Sequence, residues 1–480
     1  MPNMRSFTRH LAIITGAVLA MSVGSARSDA LPELGDASSA IVSPEMERRL
    51  GEMLLKQIRS SLPTVSDPIL KYYTEIQLYH LAEHSQLKEV ILNPILIDSP
   101  QLNAFAAPGG VVGINLGLYL KAEDIHEYSS VIGHELAHLS QRHFARGIEA
   151  QRRASLGQMV GFLGAVILAA TAGSEAALAA ASASQAIALD GQLRYSRGRE
   201  QEADRIGMTT LVRAGLDPHG MGRMFERMQR STRYSRRPPE FLLTHPVTES
   251  RISDARNHAA EYPRRPASES IEYQMMRARA QVYYADTPTR AVGLARDRLD
   301  EGEHARYALA IALSRAGEHD EALATMIPLY TKYPGSILII ASYAELLIDA
   351  RRTREAIDIL THQLVINPDN QPFAMLYARA LTAEKRYVDA EEVLWRQTVV
   401  HGNDVDIWFE LAEISGLAGD TIGVHRSRAE FFALMGAYQN AIQHLEYARR
   451  LVEVDDFKMN AQLNARIQAL RTEFEALKAS

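Results

Sequence analysis

His134, Glu135 and His138 have the types and the spacing of a metal-dependent hydrolytic site. On an α-helix, residues i and i+4 lie on one face, so both imidazoles can bind the same zinc ion. Glu135 lies about 100° round the helix from His134. From there its carboxylate can reach a water on the metal without replacing a ligand. The spacing therefore predicts the helical part of a zinc peptidase site.

The segment from Asp124 to Gln141 has the pattern of a helix that would carry these residues. Apolar residues recur at helical spacing among polar ones, and Asp124 followed by Glu127 resembles a capping box. We therefore expect a helix to begin at Asp124. The alternative is that His134 and His138 are partly buried structural histidines without a metal.

A catalytic zinc usually has three protein ligands and one open position, so a further ligand is needed. Glu200 and Asp204 share one face of a helix predicted from Ser196 to Ala214. This spacing suits Glu200 on the metal and Asp204 as the acceptor of a ligand histidine's free N–H. Glu202 points to the opposite side, where we expect it to be solvated. The alternative is that these acids only occupy an exposed face beside three basic residues, Arg197, Arg199 and Arg205.

The composition describes a soluble globular protein of two or three domains. The chain has 480 residues, 46% of them hydrophobic and 23% charged, with a formal net charge of -6. Nothing in this balance indicates binding of nucleic acid. The chain has no cysteine, so disulfides and cysteine ligands are excluded and any metal site must use His, Asp or Glu.

Residues 1–30 have the pattern of a cleavable signal peptide. Arg5 and Arg9 precede the apolar run Leu11–Val23, and small residues follow it. Export to the periplasm is therefore expected. The alternative is an uncleaved anchor, although the apolar run is shorter than the roughly 20 residues that span a bilayer.

A second apolar region covers residues 159–189. Its first part, Met159–Ala172, contains Gly161 and Gly164 and is also shorter than the roughly 20 residues that span a bilayer. An alanine-rich stretch, Ala176–Leu189, follows. We expect buried or lid-forming helices here. A hairpin that dips into a membrane is the alternative, and it would give the protein a peripheral membrane contact.

The last part of the chain has a repeat. Small residues recur 34 positions apart, at Ala322, Ala356, Ala390 and Val424. A period of 34 with two helices per unit is the tetratricopeptide signature. The predicted organisation is a peptidase domain at 31–262, a linker within 261–270 and a repeat domain at 271–480. Stacked repeats form a curved groove suited to extended peptides or partner proteins.

Three motifs together resemble a known family. They are the HELAH segment, the E-x-x-A-D pattern that ends at Asp204, and Thr244-His245-Pro246 with Arg251 six residues past the histidine. The chain resembles the gluzincin family that includes the HtpX, Oma-type and CAAX-prenyl proteases. With its export signal and repeats, it is similar to the periplasmic β-barrel assembly-enhancing type, called BepA.

This resemblance implies a mainly α fold, in which an α+β gluzincin metallopeptidase domain with a small β-sheet precedes an α-solenoid of tetratricopeptide repeats. It implies one zinc ion per chain on three ligands, His134, His138 and Glu200. Glu135 would act as general base and then as general acid. Residues 103–113 are predicted to form two short strands around Pro108-Gly109-Gly110. In the family that the chain resembles, the corresponding strand borders the cleft, where it would pair with an extended substrate. A purely structural hairpin is the alternative.

The resemblance leaves the role of His245 open. It implies either a fourth zinc ligand that shuts the resting enzyme, or a residue that stabilises the oxyanion together with Arg251 once substrate is bound. The alternative is that His245 is only a helix-entry residue before Pro246.

The predicted function is an exported zinc-dependent endopeptidase that degrades misfolded or stalled envelope proteins and assists outer-membrane protein assembly. Its partners would be polypeptide substrates and the outer-membrane assembly machinery, which the repeat domain would recruit. The alternative is a chaperone or adaptor in which the repeat groove carries the main function and proteolysis is secondary. A third hypothesis, a metalloenzyme acting on small substrates, is disfavoured by the repeats.

Overall fold

A computed structural model describes residues 42–149, 197–234, 239–264 and 270–479. The predicted signal peptide at 1–30 and the apolar region at 159–189 lie outside these residues, as does 265–269 in the predicted linker. Residues Pro44–Ser480 form one compact unit. Within the described ranges, every helix is too short or too polar to cross a bilayer.

The part of the chain before residue 265 combines helices with one small sheet. Its elements, in chain order, are α1 (Pro44–Ser61), α2 (Pro68–Glu83), β1 (Asn93–Ile97), β2 (Ala104–Ala107), β3 (Val111–Asn115), α3 (Gly117–Lys121), α4 (Ile125–Ser140), α5 (His143–Glu149), α6 (Arg197–Arg213), α7 (His219–Tyr234), α8 (Phe241–Thr244) and α9 (Glu249–Ala259).

The sheet has three strands in the order β1-β3-β2. β2 and β3 are antiparallel, with Ala104 opposite Ile114, and a short 3-10 turn at Pro108–Gly110 joins them. Gly109 and Gly110 have φ angles of 72° and 74°, a left-handed conformation that glycine adopts without strain. The predicted hairpin is therefore present. β1, which pairs with β3 in parallel, was not predicted.

Helix α4 begins as its capping pattern predicts. The side chain of Asp124 accepts a hydrogen bond from the backbone N–H of Glu127 at 2.8 Å. The Glu127 carboxylate accepts in turn from the backbone N–H of Glu123 at 2.9 Å. This resembles a capping box, except that the Glu127 side chain bonds the N–H of the residue before the N-cap and not that of the N-cap itself. Helix α6 also lies where the sequence predicts, and Gly215 follows it with a φ of 79°.

Two glycines allow α4 and α6 to cross closely. A Cβ atom built on Gly207 of α6 would lie 3.0 Å from the backbone of Gly133 and from the backbone N of His134 on α4. Such a distance is below normal van der Waals contact. This close approach brings Glu200 of α6 toward His134 and His138 of α4.

The rest of the chain consists of helix pairs, as the period of 34 predicts. The helices are α10 (Ile271–Tyr283), α11 (Pro288–Asp297), α12 (Glu303–Arg315), α13 (His319–Lys332), α14 (Ile337–Asp349), α15 (Thr353–Ile366), α16 (Gln371–Ala383), α17 (Tyr387–Val400), α18 (Val405–Ala418), α19 (Thr421–Leu434), α20 (Tyr438–Leu451) and α21 (Phe457–Ala479). The predicted small positions lie in the second helix of successive pairs. Three of them, Ala322, Ala356 and Ala390, are fully buried, whereas Val424 is half-buried.

The turn inside each of four pairs contains a left-handed residue. These residues are also 34 positions apart, and their φ angles are 82°, 59°, 62° and 81° at Gly317, Arg351, Lys385 and Gly419. The backbone N–H of each of them, and of the residue after it, bonds a carbonyl in the last turn of the preceding helix. This is the Schellman arrangement, repeated along the solenoid.

The repeats pack directly on the peptidase part. Helix α2 contacts the first helices of three pairs, α10, α14 and α16. Lys71 of α2 binds Asp404 and Asp406 at the start of α18, at 2.8 and 2.6 Å. The sequence predicts a groove open to peptides or partners. In the structure, part of the face formed by these first helices is already covered by the chain's own α2.

Candidate metal centre

Four buried side chains could hold one metal ion, and the candidate ligand atoms of His134, His138, Glu200 and His245 all lie within 4.8 Å of one another. His134 and His138 lie one turn apart on α4, with their Nε2 atoms 3.0 Å apart. The Glu200 carboxylate oxygens lie 3.6 Å from the Nε2 atom of each histidine. The structure thus brings together the three ligands that the sequence predicts.

The distances and donors suit a tetrahedral metal ion. With bonds of about 2.0–2.2 Å, the ligand atoms of a tetrahedral zinc lie about 3.3–3.6 Å apart. The separations among these three side chains are 3.0 to 3.6 Å. Imidazole and carboxylate are both ligands that zinc accepts. The residues present therefore fit the predicted group.

Hydrogen bonds fix which ring nitrogen of each histidine faces the centre. His134 donates from Nδ1 to the Asp204 carboxylate at 2.9 Å. His143 donates from Nε2 to the Glu202 carboxylate at 3.1 Å, so its neutral ring accepts at Nδ1. His138 therefore donates from Nδ1 to His143 at 2.8 Å. Both His134 and His138 are left with an unprotonated Nε2 pointing into the centre.

Arg251 holds the acidic residues of the centre in place. Its Nε and Nη2 atoms donate to the two Asp204 oxygens at 2.7 and 2.8 Å, and Nη1 lies 2.9 Å from Glu200. Burial alone would raise the pKa of Asp204, but bonds from Arg251 and His134 lower it to about 2. Burial also opposes ionisation of Glu200, yet His245, His134 and Arg251 hold its pKa below the ordinary value. Both carboxylates are therefore ionised at neutral pH.

Glu135 lies next to the centre but outside the three predicted ligands. It is 1% exposed, and the backbone of Ala106 on β2 lies close enough to its carboxyl group to act on its pKa. Burial raises the pKa of Glu135, although His245 and His134 act in the opposite direction. A carboxylate with a raised pKa is a stronger proton acceptor than one in water.

His245 lies inside the group of ligands. It follows α8, where its backbone N–H bonds to Phe241 at 2.8 Å and its ring stacks on the Phe241 ring with centroids 4.7 Å apart. Its Nδ1 atom lies 3.4 Å from His134 Nε2 and 3.2 Å from Glu200. Its Nε2 atom lies 3.5 Å from Glu135. The ring thus occupies a position suited to a fourth ligand.

Sequence reasoning missed His143 and misjudged Glu202. Glu202 is not simply solvated: its carboxylate accepts from His143 at 3.1 Å and from Arg146 at 3.3 Å. The expectation was incomplete, because the chain after the left-handed Arg142 places His143 between Glu202 and His138. The only signal in the sequence was a third histidine five positions after His138.

Comparison with known proteins agrees with this site. Residues 73–259 match the model of peptidase family M48, and residues 347–411 match a tetratricopeptide-repeat model. The chain is 32% identical to the β-barrel assembly-enhancing protease of Yersinia pestis, over 92% of each chain. It is 31% identical to the protease of that name in Escherichia coli K12, over 96% of each. It is also 28% identical to the human mitochondrial metalloendopeptidase OMA1, over 46% of this chain and 44% of that protein.

These matches show the family to which the chain belongs, and the buried group of candidate metal ligands agrees with them. The first two relatives are covered almost end to end, so the similarity includes both the peptidase part and the repeats. The sequence-based assignment of family, fold class and enzyme type is confirmed. The chain belongs to the β-barrel assembly-enhancing type of peptidase family M48, metalloendopeptidases that carry tetratricopeptide repeats after the peptidase domain.

Proposed function

We propose that this chain is a periplasmic zinc endopeptidase that degrades misfolded or stalled envelope proteins and assists outer-membrane protein assembly. The observation that supports it most is the buried group of His134, His138 and Glu200, with Glu135 beside it and the edge strand β2 next to Glu135. The names of the two β-barrel assembly-enhancing relatives support the cellular role.

The proposal includes a domain organisation and a location. Residues 1–30 would be a cleaved signal peptide, 31–262 the metallopeptidase domain and 271–480 the repeat domain. The change from the last peptidase helix, α9, to the paired helices that begin with α10 supports the second boundary. The relatives support an envelope location.

In this proposal, His134, His138 and Glu200 hold one zinc ion, which when bound would acidify a water and polarise a peptide carbonyl. Glu135 accepts the proton of the attacking water at its carboxylate. It then returns this proton to the leaving amine. Asp204 and His143 keep the two ligand imidazoles in the tautomer that presents Nε2. Burial of the whole group excludes bulk water from these proton transfers.

We also propose roles for His245 and Arg251. His245 would be an inhibitory fourth ligand, because its Nδ1 atom lies among the ligand atoms of His134 and Glu200. In the resting enzyme, a ligand in that position would leave no place for the attacking water until substrate binds. Arg251 would act by positioning Asp204 and Glu200, since its guanidinium donors are bound to these carboxylates and to the Pro246 carbonyl. This favours a positioning role over contact with an oxyanion.

The repeats would recruit substrates or the outer-membrane assembly machinery. Tetratricopeptide repeats expose extended surfaces for protein partners, and this chain matches a model of such repeats. Because α2 covers part of the face formed by α10, α14 and α16, the surfaces available to partners would be those that α2 leaves free.

Glu135→Gln tests the enzymatic part of the proposal. The variant should lose cleavage of an unfolded protein substrate by at least 100-fold, because the general base is removed while the amide keeps its shape. Bound zinc, measured by mass spectrometry, should remain near one ion per chain, and the melting temperature should be unchanged. Glu83→Gln, an exposed acid on α2, is the matched control. Full activity of Glu135→Gln, or a native protein without metal, would contradict the proposal.

His245→Ala tests the inhibitory role separately. Removal of the imidazole should free a position in the centre and raise the rate of cleavage of the same substrate. The zinc content should remain near one ion per chain, because His134, His138 and Glu200 are retained. Unchanged or abolished cleavage would count against the inhibitory role.

A further inference from the structure

A mostly apolar pocket opens beside the metal centre. It has a volume of about 170 Å³. Its apolar lining comes from four places: the loop after α2, the end of β2, the end of α4 and α5. The main apolar residues are Leu87, Ile91, Pro108, Leu139 and Phe144. None of these five residues takes part in the metal centre described above.

The pocket adjoins the candidate metal centre at His138. Ala106 and Ala107 of β2, together with His138 of α4, form part of its wall. The strand β2 that contains Ala106 also packs against α4, the helix that carries Glu135. β2 is an edge strand, so a polypeptide could pair with it as a further strand. Side chains of such a strand alternate between its two faces, and one of them would meet this pocket close to the metal.

The size of the pocket suits a large apolar side chain. An apolar cavity of about 150 Å³ is enough to hold a benzene ring. The pocket, at about 170 Å³, can therefore take the ring of a phenylalanine or a leucine side chain. Burial of such a side chain removes apolar surface from water, which favours its binding.

The charges at the rim disfavour an ionised side chain. Glu47 of α1 and Arg142, after α4, pair with each other at 3.3 Å on this rim. Each of these two charges is thereby neutralised by the other. Arg48 and Glu89, which also line the pocket, are exposed and keep their hydration at its mouth. An ionised side chain placed among Leu139, Phe144 and Pro108 would lose its hydration without gaining a partner. Arg142 is held there in a left-handed conformation, with a φ of 48°.

We propose that this pocket binds one large apolar side chain of the polypeptide substrate, aromatic or leucine-like, as the substrate lies along β2. The pocket would set a preference for that residue at one fixed position relative to the cleaved bond. This inference rests on the proposed peptidase function. It adds a substrate class to that function, namely unfolded segments with exposed apolar residues. It also identifies Leu87 and Phe144 as residues that determine specificity.

The test is cleavage of a mixed peptide library by the full-length protein, with every cut position read by mass spectrometry. The expected result is one position at which phenylalanine or leucine is cleaved at least 10-fold faster than alanine, and faster still than glutamate or lysine. This ratio is within the range that the loss of apolar contacts in a pocket produces. Cleavage without any such preference would overturn the inference and leave the peptidase function intact.

Two pocket variants link the preference to this site. Phe144→Ala enlarges the pocket and should shift the preferred residue from phenylalanine toward tryptophan. Leu87→Phe reduces the pocket and should shift it toward alanine or valine. The matched control is Phe457→Ala, which removes an aromatic side chain that is 77% exposed at the start of α21.

The outcomes separate the two proposals. A preference that stays the same in both folded pocket variants would overturn the pocket inference alone. A folded, zinc-loaded protein that cleaves no peptide, even as the His245→Ala variant, would overturn the peptidase function and the inference with it. Melting temperatures identify a pocket variant that has failed to fold. In that case the preference of the other pocket variant tests the inference.

Discussion

At the scale of single residues, the candidate metal centre contains two hydrogen-bonded chains, one behind each of the proposed ligand histidines His134 and His138. Asp204 accepts from His134, and Arg251 binds Asp204 from the other side. Glu202 orients His143, which accepts from His138. Partners of this kind orient a ligand imidazole and raise its basicity. Burial, with His134 and His245 nearby, lowers the pKa of His138 well below its ordinary value and so favours a neutral ring.

We predict that His143→Ala weakens metal binding about 10- to 100-fold, the range found for loss of a partner behind a metal ligand. The His138 ring would lose the acceptor for its Nδ1–H. The tautomer with an unprotonated Nε2, which the metal needs, would then no longer be favoured over the other. Competition for zinc with a chelator of known affinity measures the change. His84→Ala, at the half-exposed end of α2, is the control and should bind zinc as the wild type does. Equal affinities in both variants would exclude this role.

At the scale of elements, the site depends on how closely α4 and α6 cross. The spacing of Glu200 and Asp204 on one face of α6 could be predicted from the sequence, but the distance between the two helices could not. Gly133 and Gly207 have no side chains to separate the backbones. The sequence around these glycines does not indicate a close helix crossing, because a glycine in a helix allows one only where another backbone packs against it.

We predict that Gly207→Ala lowers the free energy of unfolding by about 1–3 kcal/mol, as overpacking in a close-packed interior does. The added Cβ would lie 3.0 Å from the backbone of Gly133 and His134, and neither can yield as a flexible side chain could. Glu200 should move away, so zinc content should fall as well. Gly198→Ala, in the same helix with nothing within 4 Å, is the control and should keep or slightly raise stability. Chemical denaturation and metal analysis measure both effects.

The left-handed turns of the repeats lead to a second prediction at this scale. Gly317 and Gly419 have φ angles of 82° and 81° without strain, but Arg351 and Lys385 adopt 59° and 62° in the equivalent turns. A side chain in this conformation costs roughly 1–2 kcal/mol, offset in part by the greater entropy of an unfolded glycine. Arg351→Gly should therefore raise the melting temperature by a few degrees at most. Gly317→Ala should lower it, and a lower melting temperature for Arg351→Gly would refute the explanation.

At the scale of the whole molecule, charged contacts join the peptidase part to the repeats. Lys71 binds Asp404 and Asp406. Arg279 of α10 binds Asp67, before α2, at 2.6 Å and Glu345 of α14 at 2.8 Å. These groups are mostly buried, so each charge depends on its partner, and loss of one leaves the other uncompensated. The repeats are therefore held to the peptidase part at more than one point.

The pair of Lys71 and Asp404 predicts a dependence of stability on pH. Burial alone would raise the pKa of Asp404, but Lys71 lowers it below the ordinary value. Because the folded-state pKa is the lower one, this stabilisation is complete above about pH 4, the unfolded value for Asp. It is lost as the pH falls through the folded-state pKa.

Asp404→Asn tests this contribution. The free energy of unfolding should differ most between wild type and variant near pH 7, and the difference should shrink as the pH falls below about 4. Urea unfolding at several pH values measures it. Asp297→Asn, an exposed residue at the end of α11, is the control and should match the wild type at pH 7. A difference for Asp404→Asn that is independent of pH would contradict the assignment.

The sequence alone determined those features that depend on local spacing. The i, i+4 spacing of His134 and His138, the cap at Asp124 and the period of 34 each predict a structure without knowledge of the rest of the chain. The helix α4, the hairpin of β2 and β3, and the paired repeats were therefore predictable. The signal peptide, the apolar region at 159–189 and the roles of the site residues remain predictions.

Only the tertiary structure decided which distant groups meet. It placed His143 and Glu202 behind His138, His245 among the ligands, and α2 against the first helices of the repeats. Each of these contacts depends on the direction in which a turn sends the chain. At Arg142, between α4 and α5, that direction is a left-handed φ on a residue that rarely adopts one. No periodicity in the sequence signals this turn, because its conformational cost is offset by packing between segments far apart in the chain.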